Sequence, residues 1–201
     1  MPEQVHEGGE RRIDGVMEVE VKAKVDNLDE IKERLESMGA LFGKEIEQND
    51  TFFKPADFNK KPQGPGDWIL RIRKQGEKKF LTLKALTEVT GAWKEHETLI
   101  QNGEEAINIT NAMGLVNVFN LSKKRIIGNV DGFELCIDNV KELGTFLEVA
   151  IETENESDIE SIREKIVDFI KRLGIDENNI ERRGYGEIIG EKLGHKFKKM
   201  R

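Results

Sequence analysis

The chain has few of the residues that build covalent or membrane-spanning frameworks. Its 201 residues include one cysteine, Cys136, and 4 prolines. One cysteine excludes an internal disulfide framework and a cysteine-rich zinc site. The three histidines lie far apart in sequence and form no local metal motif: His6, His96 and His195. No apolar run approaches the length of a membrane-spanning helix, so we expect no membrane partner.

The chain also lacks an excess of positive charge. Its 32 Lys and Arg residues against 39 Asp and Glu residues give a formal net charge of −7. This balance argues against general nucleic-acid binding, which needs a basic surface. No charged segment followed by an apolar stretch opens the chain, so we expect a cytoplasmic protein.

Composition divides the chain into three parts. Residues 1–15 are polar and without periodicity, and we interpret them as a disordered lead-in. Residues 16–190 carry regular patterns throughout and are long enough for one domain with a substantial core. Residues 191–201 end in a basic run, which predicts a solvated tail in preference to a binding tail.

The dominant pattern in the domain is alternation of apolar and charged residues, which is typical of strands with one buried face. It predicts strands at 17–25, 45–53, 68–74, 79–86, 92–100, 116–127, 132–140 and 145–153. Helical spacing predicts helices at 28–38, 104–113, 157–173 and 185–193. The Pro/Gly-rich segment 54–67 is either a cover over one mouth of the sheet or a plain surface loop. Short connections favour an α+β fold built on a closed eight-stranded antiparallel barrel.

Nearly every predicted strand carries a pair of charges on one face. The cations are Lys22, Arg71, Arg73, Lys84, Lys123 and Arg125, and the carboxylates are Glu18, Glu20, Glu95, Glu97, Asp138 and Glu148. One such pair alone would indicate an ordinary solvent-facing sheet. Twelve charges inside a closed barrel are costly unless they are paired or used. A triphosphate with a divalent cation needs both signs, because Arg and Lys hold phosphate oxygens and carboxylates hold the cation.

The order of these motifs resembles one family. The chain reads E-x-E-x-K at Glu18–Lys22, then Asp50, R-x-R at Arg71–Arg73 and a strand ending in Lys84. Next come E-x-E at Glu95–Glu97 and K-x-R at Lys123–Arg125. The last two strands of the series carry Asp138 and Glu148. This series, over about residues 16–190, resembles the CYTH family of triphosphate tunnel metalloenzymes, which includes class IV adenylate cyclases and thiamine triphosphatases.

The resemblance implies an eight-stranded tunnel, a triphosphate-bearing small molecule as substrate, and Mg²⁺ or Mn²⁺ as cofactor. It implies these phosphate-binding residues: Lys22, Arg71, Arg73, Lys84, Lys123 and Arg125. It implies these metal ligands: Glu18, Glu20, Asp138 and Glu148. We expect the catalytic set to be Glu20, Lys22, Arg71, Arg73, Lys84 and Glu97, with Glu95 and Glu97 holding a second metal or orienting the basic groups.

Two departures from the family pattern affect the expected site. The family has E-x-E on its last strand, whereas this chain has Glu148-Val149-Ala150. Glu152 lies on the same strand face and is a candidate substitute metal ligand. The family's Ser-Tyr pair near the C-terminus is Gly184-Tyr185 here, so the serine contact is absent.

The resemblance leaves two reactions and one binding role open. A cyclase would convert ATP to cyclic AMP and pyrophosphate, and we favour this reading narrowly. A triphosphatase would hydrolyse tripolyphosphate, thiamine triphosphate or a nucleoside triphosphate. A non-catalytic module that binds nucleotide or polyphosphate is the third reading, and a homodimer is compatible with all three. Cys136 is expected to be a small wall residue, and Trp93 is either structural or a stacking surface for a base at a tunnel mouth.

Overall fold

The structure is a computed structural model that describes residues 17–60, 62–86 and 92–195. The predicted lead-in, and residues 196–201 of the predicted tail, lie outside the described residues. None of the helices in the described part of the chain is both long and apolar enough to cross a membrane.

The described residues form ten strands and four helices. The strands are β1 (Met17–Lys24), β2 (Leu41–Phe42), β3 (Ile46–Pro55), β4 (Trp68–Gln75), β5 (Lys78–Leu86), β6 (Ala92–Leu99), β7 (Leu115–Val130), β8 (Phe133–Val140), β9 (Gly144–Thr153) and β10 (Ile180–Glu181). The helices are α1 (Leu28–Ser37), α2 (Gly103–Ala112), α3 (Ile159–Arg172) and α4 (Tyr185–Lys192).

Eight long strands close into an antiparallel barrel. Their order is β1-β6-β5-β4-β3-β7-β8-β9, and β9 returns to pair with β1. The β1–β9 ladder runs from Met17 opposite Thr153 to Lys24 opposite Phe146. The other edge of β1 is shared, because Met17–Val19 pair with β6 and Lys22–Ala23 pair with β10. The predicted α+β barrel is confirmed.

Local sequence explains where several elements begin and turn. Asn27 caps α1, since its side chain accepts a hydrogen bond from the backbone N–H of Glu30 at 3.2 Å. The turn between β7 and β8 has Asp131 and Gly132 at positive φ, 51° and 80°. Both residue types tolerate this left-handed backbone, so Asp-Gly closes the hairpin as the sequence predicts.

The alternation of the strands sorts apolar and charged side chains onto opposite faces of the barrel. The outer faces of β1, β8 and β9 pack against α1 and α3 in one apolar cluster, which includes Val19, Val21, Leu135, Val149, Ile166 and Phe169. The ring of Phe133 on β8 stacks on Phe169 of α3 at 4.3 Å between centroids. Because the apolar faces point outward under the helices, the charged faces point into the barrel.

A second apolar cluster lies on the inner side at one end of the barrel. Its buried members are Phe52, Phe119, Leu121, Val140, Phe146 and Tyr185. Helix α4 inserts Tyr185 against the ring of Phe146 at 5.3 Å between centroids. The cluster therefore fixes α4 to the barrel wall and gives the tunnel an apolar end beside its charged middle.

The strand boundaries differ from the predicted ones where pairing extends them. β3 continues to Pro55, because Lys54 and Pro55 pair with Val116 and Leu115 of β7. Two residues of the predicted 54–67 loop therefore belong to the wall. The two-residue strands β2 and β10 were not predicted, since a two-residue segment carries no detectable periodicity.

Candidate active site

The barrel encloses a cavity of about 1180 Å³. All six predicted cations line it: Lys22, Arg71, Arg73, Lys84, Lys123 and Arg125. The carboxylates that line it include Glu18, Glu20, Glu95, Glu97, Glu148 and Glu152. The remaining predicted carboxylate, Asp138, is fully buried and lies behind the cavity surface. The structure therefore brings the predicted site residues together in one tunnel.

Two arginines on β4 are each held by a carboxylate on a neighbouring part of the wall. Arg73 donates from Nε and Nη2 to the two oxygens of Asp50, at 2.7 and 2.8 Å. Arg71 donates from Nη2 to Glu97 at 3.0 Å, and the hydroxyl of Thr82 donates to the same Glu97 oxygen at 2.8 Å. These bonds fix both guanidinium planes with further N–H donors available to a phosphate.

Asp138 is the centre of a second group of cations. It accepts from Nε and Nη2 of Arg125 at 2.7 and 2.6 Å, and from Lys123 Nζ at 3.2 Å. The phenol of Tyr185 donates to the same carboxylate at 2.9 Å. Arg125 also reaches Glu148 at 2.8 Å. Asp138 thus braces three tunnel side chains, and its predicted role as a metal ligand stays a prediction.

Lys22 joins β1 to β9. Its ammonium lies 2.5 Å from Glu20 and 3.3 Å from Glu148. Burial lowers the pKa of Lys22, but the two carboxylates outweigh it and raise that pKa above its ordinary value. Lys22 therefore stays protonated at neutral pH and is a permanent cation of the tunnel.

Each of the six tunnel cations has at least one carboxylate partner. The pairs are Lys22 with Glu20 and Glu148, Arg71 with Glu97, Arg73 with Asp50, Lys84 with Glu95, Lys123 with Asp138, and Arg125 with Asp138 and Glu148. This pairing explains how the barrel accommodates twelve inward charges, because an unpaired buried charge would shift its pKa or unfold the site.

Most of these groups have fixed charges. Burial raises the pKa of Asp50, yet Arg73 outweighs it and holds that pKa far below the ordinary value. The same balance between burial and Arg125 lowers the pKa of Glu148. Lys123 differs, because burial and the adjacent Arg125 lower its pKa to about 8. Lys123 is therefore a tunnel cation that can lose its proton at mildly alkaline pH.

The residues expected to hold a metal lie along β1 and β9. The register places Glu18 opposite Glu152, and Glu20 opposite Ala150. Ala150 also faces Glu134 of β8, so Glu134 is the carboxylate next to the departure from the family pattern. Within the described residues, no three His, Cys, Asp or Glu side chains form a ready metal site. The donor types still fit Mg²⁺ or Mn²⁺, which bind few carboxylates and complete their shell with water.

Three residues join the site that the charge pattern alone did not assign to it. Asp50 is the counter-ion of Arg73, Thr82 bridges Arg71 and Glu97, and Tyr185 contacts Asp138. Tyr185 also lies below two ammonium groups, with Lys22 and Lys123 at 5.1 and 5.0 Å from its ring centroid. Alternation on β5 puts Thr82 on the face of Lys84, whereas the signal for Tyr185 in the sequence is the family's Ser-Tyr pair, which reads Gly184-Tyr185 here.

A comparison with known protein families identifies the family of this barrel. The model of the CYTH domain matches residues 17–185, which span the whole barrel and the first residue of α4. The chain belongs to the CYTH domain family. This membership confirms the resemblance that the motif order indicates.

Two relatives from the CYTH family carry adenylate cyclase names. A protein of Methanocaldococcus jannaschii, provisionally named an adenylate cyclase, is 29% identical over 177 residues, which cover 87% of this chain and 99% of the relative. The adenylate cyclase CyaB of Aeromonas hydrophila is 32% identical over 98 residues, which cover 44% of this chain and 51% of the relative.

Solved structures share the barrel. A protein of Pyrococcus horikoshii has a TM-score of 0.71 and 29% identity, covering 85% of this CYTH chain and 98% of its own. A protein of Vibrio parahaemolyticus, provisionally described as an adenylate cyclase, has a TM-score of 0.74 at 23% identity, covering 88% and 99% of the two chains. The second likeness shows the fold alone.

Proposed function

We propose that this protein is a metal-dependent enzyme of adenylate cyclase type, which binds ATP in the tunnel and forms cyclic AMP and pyrophosphate. The observation that carries the proposal is the closed ring of six cations around one cavity, each already oriented by a carboxylate. The adenylate cyclase names of the two relatives support the choice among triphosphate reactions.

The tunnel residues would bind the triphosphate by exchanging partners. Arg71 and Arg73 lie two residues apart on β4 and offer planar N–H donors, which suit phosphate oxygens. Lys123 and Arg125 lie two residues apart on β7 and add one ammonium and one guanidinium group. Because every one of these cations is neutralised by a carboxylate in the free tunnel, an incoming polyanion would compete with those carboxylates for the same donors.

The carboxylates on β1 and β9 would hold the cofactor. Glu18, Glu20, Glu148 and Glu152 are the residues that we propose for Mg²⁺ or Mn²⁺. Such an ion, when bound, neutralises phosphate charge and lowers the pKa of a coordinated oxygen. Glu18, which is buried, lies opposite Glu152, which is exposed, on these adjacent strands.

The chain's own side chains would stabilise the charge that develops on the leaving group. In the cyclase reaction the ribose 3′ oxygen attacks the α-phosphorus, the bond from that phosphorus to the β-phosphate oxygen breaks, and pyrophosphate leaves. The tunnel cations would bind the transition state, in which negative charge builds up on the departing pyrophosphate, more tightly than the ground-state triphosphate. Glu20 or Glu97 is proposed to receive the hydroxyl proton.

Hydrolysis of a triphosphate is the second candidate function. The same cations would hold the substrate, and a water oriented by a tunnel carboxylate would attack the terminal phosphorus to release orthophosphate. The observation that favours it is the charge of the tunnel, because six paired cations suit any triphosphate, including tripolyphosphate and thiamine triphosphate.

A product assay tests the proposal. Purified protein would be incubated with ATP, tripolyphosphate or thiamine triphosphate, each with Mg²⁺ or Mn²⁺, and cyclic AMP, pyrophosphate and orthophosphate would be resolved. We expect cyclic AMP and pyrophosphate in equal amounts from ATP. Orthophosphate without cyclic AMP would establish the hydrolase instead, and binding without any product would favour a non-catalytic module.

A tunnel variant and a matched surface variant test whether the tunnel residues are needed for product formation. Arg71→Ala with Arg73→Ala should abolish product formation and triphosphate binding, since both phosphate-facing guanidinium groups of β4 are removed. Lys74→Ala is the matched control, because Lys74 directly follows Arg73 on β4 but is exposed on the outer face. Retained binding in the double variant would contradict the tunnel assignment.

A further inference from the structure

One part of the tunnel cavity is lined by residues with no predicted role in phosphate or metal binding. We define the Lys54 chamber by six of these residues, which come from β3, β4, β6, α4 and the segments after β3 and α4: Lys54, Gln63, Trp68, Trp93, Glu187 and His195. Lys54 lies on β3 four residues beyond Asp50, the partner of Arg73. At 3.3 Å per residue the two α-carbons are about 13 Å apart, which is comparable to the length of a ribose and a base.

Lys54 is a buried cation with a neutral partner. Only 7% of its surface is exposed, and its ammonium donates to the side-chain oxygen of Gln63. Among the described residues it forms no ion pair, in contrast to the six cations of the tunnel. The carboxylates of Asp67 and Glu187 favour the charge of Lys54 from a distance, but burial outweighs them, and its pKa is lowered to about 8. The cavity wall here is therefore unfavourable for a further positive charge.

Gln63 is the second polar group with unused capacity. It is 3% exposed, and its amide Nε2 has no hydrogen-bond partner among the described residues. Its Oε1 already accepts from Lys54, so the free donor and the ammonium lie side by side on the cavity wall. The amide N–H groups of Gln63 and the remaining N–H groups of Lys54 have no acceptor among the described residues, and a ligand could supply one.

Aromatic rings line the same cavity as these donors. Trp68 at the start of β4 and Trp93 on β6 line the cavity, and Trp93 is 93% buried, because only 7% of its surface is exposed. Phe58 lies 6.0 Å from Lys54 Nζ and contacts the ring of His195 at 4.9 Å between centroids. This second contact joins the segment after β3 to His195, which follows α4 and lines the cavity.

We propose that the Lys54 chamber receives the base of a nucleoside triphosphate, with Lys54 and Gln63 donating to base acceptors, and that Lys54 repels substrates with a cationic end group. A planar base with ring nitrogen or carbonyl acceptors matches the two free donors and the aromatic walls. The thiazolium of thiamine triphosphate carries a positive charge and would meet the Lys54 ammonium in a buried site. The inference rests on the proposed function, since it takes the triphosphate to be held by the tunnel cations.

Isothermal titration calorimetry on the full chain tests the proposal, with Ca²⁺ replacing Mg²⁺ to slow turnover. The ligands are ATP, thiamine triphosphate and tripolyphosphate, and the variants are Lys54→Met and Lys54→Glu. Lys60→Met is the matched control, because Lys60 lies in the segment after β3, is exposed and does not line the cavity. Methionine keeps the length of lysine without its charge.

We expect the wild type to bind ATP at least about 10-fold more tightly than thiamine triphosphate, since two like charges a few ångströms apart repel. Lys54→Met should weaken ATP binding about 10-fold through the lost charged hydrogen bond, and should leave tripolyphosphate within about 3-fold. Lys54→Glu should bring the affinities for ATP and thiamine triphosphate together or reverse their order. Lys60→Met should resemble the wild type.

The possible outcomes distinguish base recognition by the Lys54 chamber from triphosphate binding by the tunnel cations. If Lys54→Met weakens ATP and tripolyphosphate equally, or weakens neither, the chamber does not read the base and the inference is overturned. If the wild type binds none of the three ligands, the proposed function fails and the inference fails with it. If tripolyphosphate binds and ATP binds no better than thiamine triphosphate, the tunnel assignment stands and the inference is wrong.

Discussion

The substitution Asp50→Asn separates the stabilising role of a tunnel carboxylate from its effect on ligand binding. Asp50 is 3% exposed and accepts two hydrogen bonds from Arg73 at 2.7 and 2.8 Å. Asparagine keeps the shape but loses the charge and one acceptor. Breaking a buried ion pair outright costs about 3–5 kcal/mol, and because one acceptor remains we expect a loss of about 2–3 kcal/mol in the free energy of unfolding. For a chain of this length that corresponds to a melting temperature about 5–10 °C lower.

The same substitution should improve binding of a polyanion. Arg73 would be released from its internal counter-ion, and one negative charge would leave the tunnel. A unit charge about 6 Å from a phosphate, at an effective dielectric constant of about 20, contributes roughly 2–3 kcal/mol before screening by salt. We therefore expect tripolyphosphate to bind about 3- to 10-fold more tightly, and to restore most of the lost melting temperature at saturation.

Thermal unfolding with and without tripolyphosphate, together with calorimetric titration, measures both effects. Asp57→Asn is the matched control, because Asp57 is an exposed carboxylate in the segment that follows β3. Arg73→Ala should lose both stability and affinity. If Asp50→Asn weakens tripolyphosphate as much as Arg73→Ala does, the carboxylate is not a competitor of the ligand and the reasoning about partner exchange is refuted.

Three further substitutions have defined outcomes. Tyr185→Phe removes the hydroxyl that donates to Asp138, so urea unfolding should show a loss of about 1 kcal/mol, with tripolyphosphate affinity within about 3-fold. Lys54→Met removes a cation whose pKa burial lowers to about 8, below its ordinary 10.5. Between pH 8 and pH 10.5 the unfolded chain binds more protons than the folded chain, so the free energy of unfolding of the wild type rises with pH. The variant should therefore be more stable than the wild type at pH 7 by up to about 3 kcal/mol, and this difference should shrink towards pH 10. Gly128→Ala places a methyl group 2.4 Å from the Phe42 ring and should lower stability by about 2 kcal/mol in the same assay.

The sequence predicts the barrel well because a single periodicity carries most of the information. Alternation assigns each residue to a face, and the outward apolar faces then leave the charges inside, as on β4 with Arg71 and Arg73. The helix limits follow from local chemistry in the same way, as the Asn27 cap shows. These features depend on residues within a few positions of one another, so they can be read from a single sequence.

The pairing of the charges could not be predicted, because it depends on register between strands. The partner of Arg73 is Asp50, 23 residues away, and the partner of Lys22 on β9 is Glu148. Register also places Glu134 beside Ala150, whereas alternation along β9 alone suggested Glu152. The Lys54 chamber combines β3, the segment after it and α4, which no local pattern brings together.

The way β1 closes the barrel has a consequence for how the chain folds. All eight residues of β1 pair with β9, the last of the eight long strands, so the ladder joins positions 122 to 136 residues apart, from Lys24 with Phe146 to Met17 with Thr153. Contacts of such large sequence separation form late, because the loop entropy must be lost before they stabilise anything. On the ribosome, the first strand must therefore wait for β9 to emerge before its ladder and the Lys22–Glu148 ion pair can form. During that interval its apolar face is an exposed surface, and the speed of translation across residues 25–145 sets how long the nascent chain is open to aggregation.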